Sequence, residues 1–421
     1  MSKRNYHLSA SAIWTFKKCP IAWRNAYLYG MRPIKKKDSL FDGTNWHDGL
    51  ELISLGPEAV CRRCAGQSRA DHDCPICLGS GFLQGDPMEA VARCYEKAYS
   101  TYNLSEGDAV KVETTRTKLL YSLSAYKWYW EDQDEIEVLG REIPFDLPLI
   151  EPRTGVSIPD VRLVGKIDKL VRWKGRLYIL EHKSTADDIN PESPYWNKLR
   201  FDVQTRIYPY AAQQLQRDGE LKDYGVKASE APISGVLYDA WHKPGIGTKK
   251  ITQAEAKKIF TEGQYCEQLM DTGGSTYESI LRLLNATMGD DVACDINGER
   301  SWICPAAPNK KTGKITGFAL RENQSMYGAR LMQDLTSDPE KYFQRKEITR
   351  TAQDLKDLEV ELVSVYHTMR FMERYECWYK CERECEAFGK CDYMPCCYDH
   401  EPIGPDVVPA GFKCTHHRKE N

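Results

Sequence analysis

The chain has 421 residues, 41% of them hydrophobic, enough for a real core and for roughly two or three domains' worth of structure. Its formal net charge is −3, which excludes a globally basic nucleic-acid coat and confines any nucleic-acid contact to local patches. No apolar run approaches the roughly 18 residues of a membrane span, and the N-terminal MSKRNYHLSASAIW lacks an apolar signal core.

In chain order, residues 1–56 read as helical, with Ala10–Tyr29 placing its aromatics on a core. Phe41-Asp42-Gly43-Thr44-Asn45-Trp46-His47 reads as a turn into a helix, with Thr44 as N-cap and His47 in the first turn. Residues 57–85 carry Cys61-Arg62-Arg63-Cys64 and Cys74-Pro75-Ile76-Cys77, two CxxC knuckles with nine residues between them. Four thiolates so spaced can close a tetrahedral Zn²⁺ site, Cys61, Cys64, Cys74 and Cys77 being the ligands. So short a ribbon cannot fold without its metal, and a closed four-Cys site leaves no position for chemistry.

Residues 86–245 begin with mostly helix over Pro87–Trp130 and then turn to strands. The predicted strands are Ile136–Phe145, Val161–Trp173, Arg176–Lys183 and Ile233–Trp241, with a turn at Lys174-Gly175. A helix runs from Gln204 to about Arg217, with Ile207, Ala211 and Leu215 at helical spacing. Residues 246–345 read as an insertion of unknown role, with a helix over Gln253–Met270 and a late strand near Tyr342–Arg345. Residues 346–421 hold a helix, Asp354–Tyr375, and a cluster of cysteines. Helices and strands in this order predict an α/β fold.

The chemistry concentrates on Asp168, Glu181 and Lys183. Side chains alternate along a strand, so Glu181 and Lys183 share a face and His182 takes the other. Hairpin pairing can bring Asp168 close to them. Two carboxylates and an amine at the end of the apolar run Leu177–Leu180 are costly to bury unless paired or bound to metal. A surface hairpin with a Glu–Lys pair is the bland alternative. Gln204 and Tyr208, four apart, share a helix face and can reach a nucleic-acid backbone together. Basic runs such as Lys35-Lys36-Lys37 and Arg62-Arg63 are usually solvated faces. The 10 Trp and 24 Tyr allow base stacking, although Tyr126–Trp130 reads equally well as a core-facing helix.

In that order, Gly43-Thr44-x-x-His47, Gly165-x-x-Asp168, Glu181-x-Lys183 and Gln204-x-x-x-Tyr208 resemble the PD-(D/E)xK nuclease superfamily, specifically its RecB-like branch. The resemblance spans roughly residues 40–210. It implies a restriction-endonuclease-like core, a mixed β-sheet flanked by helices, here with a zinc-ribbon insertion and a C-terminal Cys-rich segment. It further implies a metal-dependent DNA nuclease, an exonuclease of recombination, repair or replication, of phage type. His47, Asp168, Glu181 and the backbone carbonyl of His182 would ligate Mg²⁺ or Mn²⁺, Lys183 would position the attacking water, and Gln204 and Tyr208 would orient the strand. Pro159-Asp160 offers an alternative acid, Asp160, farther from Glu181. A non-catalytic DNA-binding or assembly module and a zinc or iron–sulfur regulator are the rival readings.

Clustered cysteines without a signal sequence point to a reducing cytoplasm and to metal rather than disulfides. One early cysteine before a proline, Cys19-Pro20, and a late triplet, Cys385, Cys391 and Cys397, resemble the iron–sulfur nucleases of the same branch, such as the AddB subunit and CRISPR-adaptation exonucleases. There a [4Fe–4S] cluster staples the chain ends. The usual CxxC opening is absent, and Cys396 is an alternative to Cys397. Cys377, Cys381 and Cys385 at helical spacing leave a second zinc site as the other reading, while Cys94, Cys266, Cys294, Cys304 and Cys414 show no ligand spacing. With no GxxxxGK[ST], unwinding would come from a helicase or recombination partner acting on DNA with single strands or free ends, away from any membrane.

Overall fold

The computed structural model describes residues 5–34, 38–56, 58–67, 74–100, 106–131, 133, 135–287, 292–387 and 389–415. A short strand β1 (Tyr6–Leu8) leads into α1 (Ala10–Lys18) and α2 (Pro20–Trp23). Ser9 caps α1 by accepting from the Ala12 N–H at 3.2 Å, and Pro20 opens α2 where its missing N–H costs nothing. After β2 (Met31–Pro33) come α3 (Asp38–Ile53), the cysteine ribbon, α4 (Pro87–Ser100) and α5 (Glu106–Glu131). Then follow β3 (Glu137–Ile150), β4 (Ser157–Trp173), β5 (Arg176–Thr185), α6 (Pro194–Arg200), α7 (Gln204–Arg217) and β6 (Gly235–His242).

The long strand β4 organises the sheet. It pairs with β3 along one edge. On the other edge it pairs first with β1, parallel, over Val161–Leu163, and then with β5, antiparallel, over Lys169–Trp173. Between them the stretch Val164–Asp168 pairs with neither, so the sheet forks there. Beyond β5 the sheet continues through parallel β6 to antiparallel β12 (Phe343–Thr349), making a mixed six-stranded sheet. Both faces are covered, which is why Leu177–Leu180 can be apolar without interruption. Leu177 and Ile179 share a core with Ile207 and Ala211 of α7, whereas Tyr178 and Leu180 pack on the opposite side with Val171 and Leu237.

Between β6 and β12 lie α8 (Gln253–Glu262), a hairpin of β7 (Gln264–Tyr265) and β8 (Gln268–Leu269), α9 (Tyr277–Ala286), and a small sheet of β9 (Ala293–Ile296), β10 (Glu299–Pro305) and β11 (Phe318–Leu320). These share their own core around Ile259, Tyr277, Ile296 and Phe318. The helices α10 (Gln324–Ser337) and α11 (Pro339–Tyr342) return to the main sheet. Then α12 (Ala352–Tyr375), α13 (Met394–Tyr398) and β13 (Phe412–Cys414) close the chain, β13 pairing with β2.

Several expectations need correction. The helix predicted over Gln253–Met270 stops at Glu262, because Gly263 turns left-handed at φ 67° and Cys266-Glu267 make a tight hairpin turn. Thr44 is not an N-cap, since α3 already starts at Asp38 and places His47 in mid-helix. The stretch read as wholly helical contributes β1 and β2. Finally, α12 ends where Glu376 takes φ 51°, so Cys377, Cys381 and Cys385 do not share a helix face.

Candidate metal-dependent active site

The site lies at the fork. Carried one step past the Lys169–Leu180 pair, the register of β4 and β5 sets Asp168 opposite Glu181, on the same face. Gly165 is needed upstream because a Cβ there would overlap the Phe145 ring. Glu181 is only 3% exposed, although its strand ends in charges. Lys183 Nζ donates to Glu181 Oε1 at 2.8 Å and to Gln204 Oε1 at 2.7 Å. Gln204 is held in turn by its own N–H, which donates to Asp202 Oδ1 at 2.8 Å at the start of α7. One turn on, Tyr208 packs edge-on against Phe145 at 6.0 Å, and burial and then the Glu181 charge push its hydroxyl pKa up.

His47 arrives from the other layer. Its helix is anchored by Trp46, stacked on Trp241 at 3.9 Å, and by Tyr95, whose hydroxyl donates to the Asn45 carbonyl at 2.9 Å. Gly49 lets Tyr95 and Leu123 approach the helix backbone, where a Cβ would collide with both. The result puts His47 Nδ1 3.8 Å from Asp168 Oδ2. Burial holds the imidazole below its ordinary pKa, so it is neutral near pH 7 and keeps a lone pair for a metal.

The electrostatics suit a divalent cation. Burial, and then the Glu181 charge, raise Asp168 to about 8 against the opposing pull of Lys183. Glu181 Oε2 is buried with no hydrogen-bond donor among the described residues. Acceptors exceed donors here, and hard oxygens beside a neutral imidazole suit Mg²⁺ or Mn²⁺. A cavity of about 320 Å³ opens beside them, lined by His47, Asp168 and His182 together with Glu51, Arg62, Arg141 and Lys166. Asp160 does not line it, lying up the strand near Tyr366.

The His182 side chain takes the opposite face from Glu181, as strand alternation requires, and its ring lies edge-on to that of His47 at 6.1 Å. On that face Lys169 Nζ lies 3.1 Å from His182 Nε2, and Asp239 Oδ2 lies 3.6 Å from His182 Nδ1. Asp239 also accepts from Arg345 Nε at 3.0 Å and from the Tyr126 hydroxyl. Sequence reasoning missed this network and the cavity cation Arg141, and it noted Arg62 only within a basic run. An aspartate in the otherwise apolar strand Val236–Trp241 was the available signal for the network.

The ribbon's four cysteines converge. Cys61 and Cys74 sulfurs are 3.7 Å apart, Cys64 and Cys77 sulfurs 3.6 Å apart, and all four lie within 4.8 Å of one another. Four Zn–S bonds of about 2.3 Å in a tetrahedron put sulfurs about 3.8 Å apart, so the set fits zinc. Arg62, between two of them, binds Asp48 at 2.9 Å and also Glu51, both on α3. At the joined chain ends, Cys19, Cys381, Cys385 and Cys391 line a second cavity of about 140 Å³. The Cys397 thiol lies near Lys380, Cys391, Cys19 and Cys385, whereas Cys396 lies near Glu401, Arg24 and Cys391. Among the described residues, only the ribbon set draws its ligand atoms within 4.8 Å.

No curated protein matches the chain. A family model does match, over residues 7–398, which takes in the forked sheet, the ribbon and the terminal helices: the chain belongs to the PD-(D/E)XK nuclease superfamily.

Proposed function

We propose that this nuclease is a RecB-like, metal-dependent deoxyribonuclease, acting as an exonuclease in DNA recombination, repair or replication. The observation that carries the reading is the close pairing of half-buried Asp168 with buried Glu181, which holds a proton on Asp168 up to about pH 8 and leaves Glu181 Oε2 without a donor, an arrangement in which a divalent cation would displace that proton. His47, Asp168, Glu181 and the backbone carbonyl of His182 would hold Mg²⁺ or Mn²⁺. Such an ion supplies acidity to water and neutralises phosphate charge. Lys183 remains cationic because the Glu181 carboxylate outweighs the effect of burial. Its ammonium, held between Glu181 and Gln204, would stabilise the negative charge that grows on the scissile phosphate. Gln204 and Tyr208 orient the strand from the first two turns of α7. The test is digestion of end-labelled DNA, with ends blocked or open, by wild type and Lys183→Ala. Metal-dependent shortening from open ends, lost in the variant, is expected. Equal degradation by both would sink the assignment, and binding without degradation by either would favour a non-catalytic module.

The same reading gives Cys61, Cys64, Cys74 and Cys77 to zinc and Cys19, Cys385, Cys391 and Cys397 to a [4Fe–4S] cluster that ties the chain ends together. The cavity beside Cys19 supports Cys19, Cys385 and Cys391 as members of the set, while Cys381, not Cys397, is the fourth cysteine that lines it. Anaerobically purified protein should be coloured and contain iron. A colourless protein with zinc alone would overturn it.

A further inference from the structure

The small sheet of β9, β10 and β11 buries one face and leaves Arg300 and Trp302 exposed on the other. Ser301, Ile303 and Leu320 point into the local core, and so does Ile251, whose N–H donates to the Leu320 carbonyl at 2.8 Å. Alternation then sends Arg300 and Trp302 outward. The register pairs Trp302 with Ala293 on one side. On the other side Ile303 pairs with Leu320, which sets Arg321 beside Trp302, and Arg321 bridges in turn to Lys250. Trp302, Arg321 and Lys250 thus form a row across neighbouring strands, about 5 Å from one to the next. Trp302 is 45% exposed, and the Arg300 guanidinium lies 5.7 Å from its ring centroid. Asp295, opposite Arg300, is the acidic residue in this register, yet no ion pair forms there. Among the described residues, Lys250, Arg300 and Arg321 have no carboxylate partner. The β10–β11 loop adds exposed Lys310, Lys311 and Lys314.

We propose that this face is a second binding surface for single-stranded DNA, apart from the catalytic cavity, with Trp302 stacking a base and Arg300, Arg321 and Lys250 holding adjacent phosphates. An exposed indole among unpaired cations suits a ligand that offers ring faces and negative charge together. Duplex DNA hides its base faces, and an acidic peptide offers none. The choice of DNA over RNA rests on the nuclease reading above. Trp302 is outside the core, so its removal leaves the fold intact.

The experiment is fluorescence anisotropy of a labelled oligo-dT of about 20 nucleotides with the full chain in EDTA, where cleavage is silent. Trp302→Ala should weaken binding about tenfold, the worth of stacking one base, and Trp302→Phe should lose less. Arg300→Ala/Arg321→Ala should weaken it further and flatten its salt dependence by roughly 0.7 per cation removed. Melting temperatures report folding. Unchanged affinity in these variants overturns the proposal, as does equal binding of polyglutamate or of blunt duplex, and preference for oligo-rU overturns the choice of DNA. Cleavage in Mg²⁺ is read separately. A chain that never cleaves but loses oligo-dT with Trp302→Ala keeps this surface and loses the nuclease reading, and the reverse pattern does the opposite.

Discussion

Glu181 and His182 are neighbours on one strand, equally buried at 3% exposure, and they sit in two polar clusters of opposite character. On the Glu181 face acceptors are in excess: two carboxylates share one lysine, one oxygen has no donor, and Asp168 is raised to about 8. On the His182 face the one carboxylate, Asp239, is fully matched by cations, although His182 Nδ1 has no hydrogen-bond partner among the described residues. Asp239 receives Arg345 and Tyr126, Arg345 lies 3.8 Å over the Trp130 ring, and burial, eased by Asp239, brings Lys169 down to about 8. The desolvation is alike, and the difference is stoichiometry of charge. A closed cluster fixes β4, β5, β6 and β12 against α5, whereas the open one, on the proposed reading, would be completed by a cation and a phosphate. Stability and activity should therefore separate across the thickness of one strand.

The largest effect is expected on the closed side. Asp239→Ala strands a buried Arg345 and should destabilise the protein by about 3–5 kcal/mol, read by denaturant unfolding. A loss below about 1 kcal/mol would mean that the cluster is not a unit. On the open side, Lys183→Ala should lower nuclease activity about a hundredfold to a thousandfold, with a smaller loss of stability than Asp239→Ala because the Lys183 side chain is a quarter exposed. Were the melting temperature to collapse instead, Lys183 would belong with the closed cluster. A smaller effect is expected at the ribbon. Cys64→Ser should remove zinc by elemental analysis, release Arg62 from Asp48 and Glu51, and cost on the order of 2 kcal/mol.

The open cluster was legible in the sequence because its parts are local and periodic. Asp168, Glu181 and Lys183 fall on a hairpin whose turn is visible at Lys174-Gly175, and Gln204 and Tyr208 are one helical turn apart. His47 was legible as a member of the site but not in its setting, since the helix that carries it begins well before Thr44. The closed cluster was not legible. Tyr126, Lys169, Asp239 and Arg345 come from four elements with no shared spacing, and only pairing of β6 with both β5 and β12 brings them together. The Trp302 surface was hidden for another reason: β9 and β11, Ala293–Ile296 and Phe318–Leu320, are too short to show alternation, and Lys250 joins the row through a single bridge.

The finest test of the contrast is Asp168→Asn. In the folded, metal-free protein Asp168 keeps its proton up to about pH 8, against an ordinary value of 3.8. Below pH 3.8 both folded and unfolded chains are protonated there, and the residue makes no difference. As pH rises from there to about 8 the unfolded chain gives up the proton and the folded one does not, so folding loses stability across that window. Asparagine carries no charge to desolvate, and the variant in EDTA should be more stable than wild type at pH 8 by on the order of 1 kcal/mol, with no difference near pH 3. The side chain is a quarter exposed, which keeps the gain modest. Mg²⁺ should reverse the order, because binding to the native state stabilises wild type and the variant has lost a ligand. Thermal melts at both pH values, with and without Mg²⁺, check all four outcomes. If asparagine destabilised the metal-free protein at pH 8, Asp168 would already be satisfied by the groups around it, and the open side of the strand would be as closed as the side that holds His182.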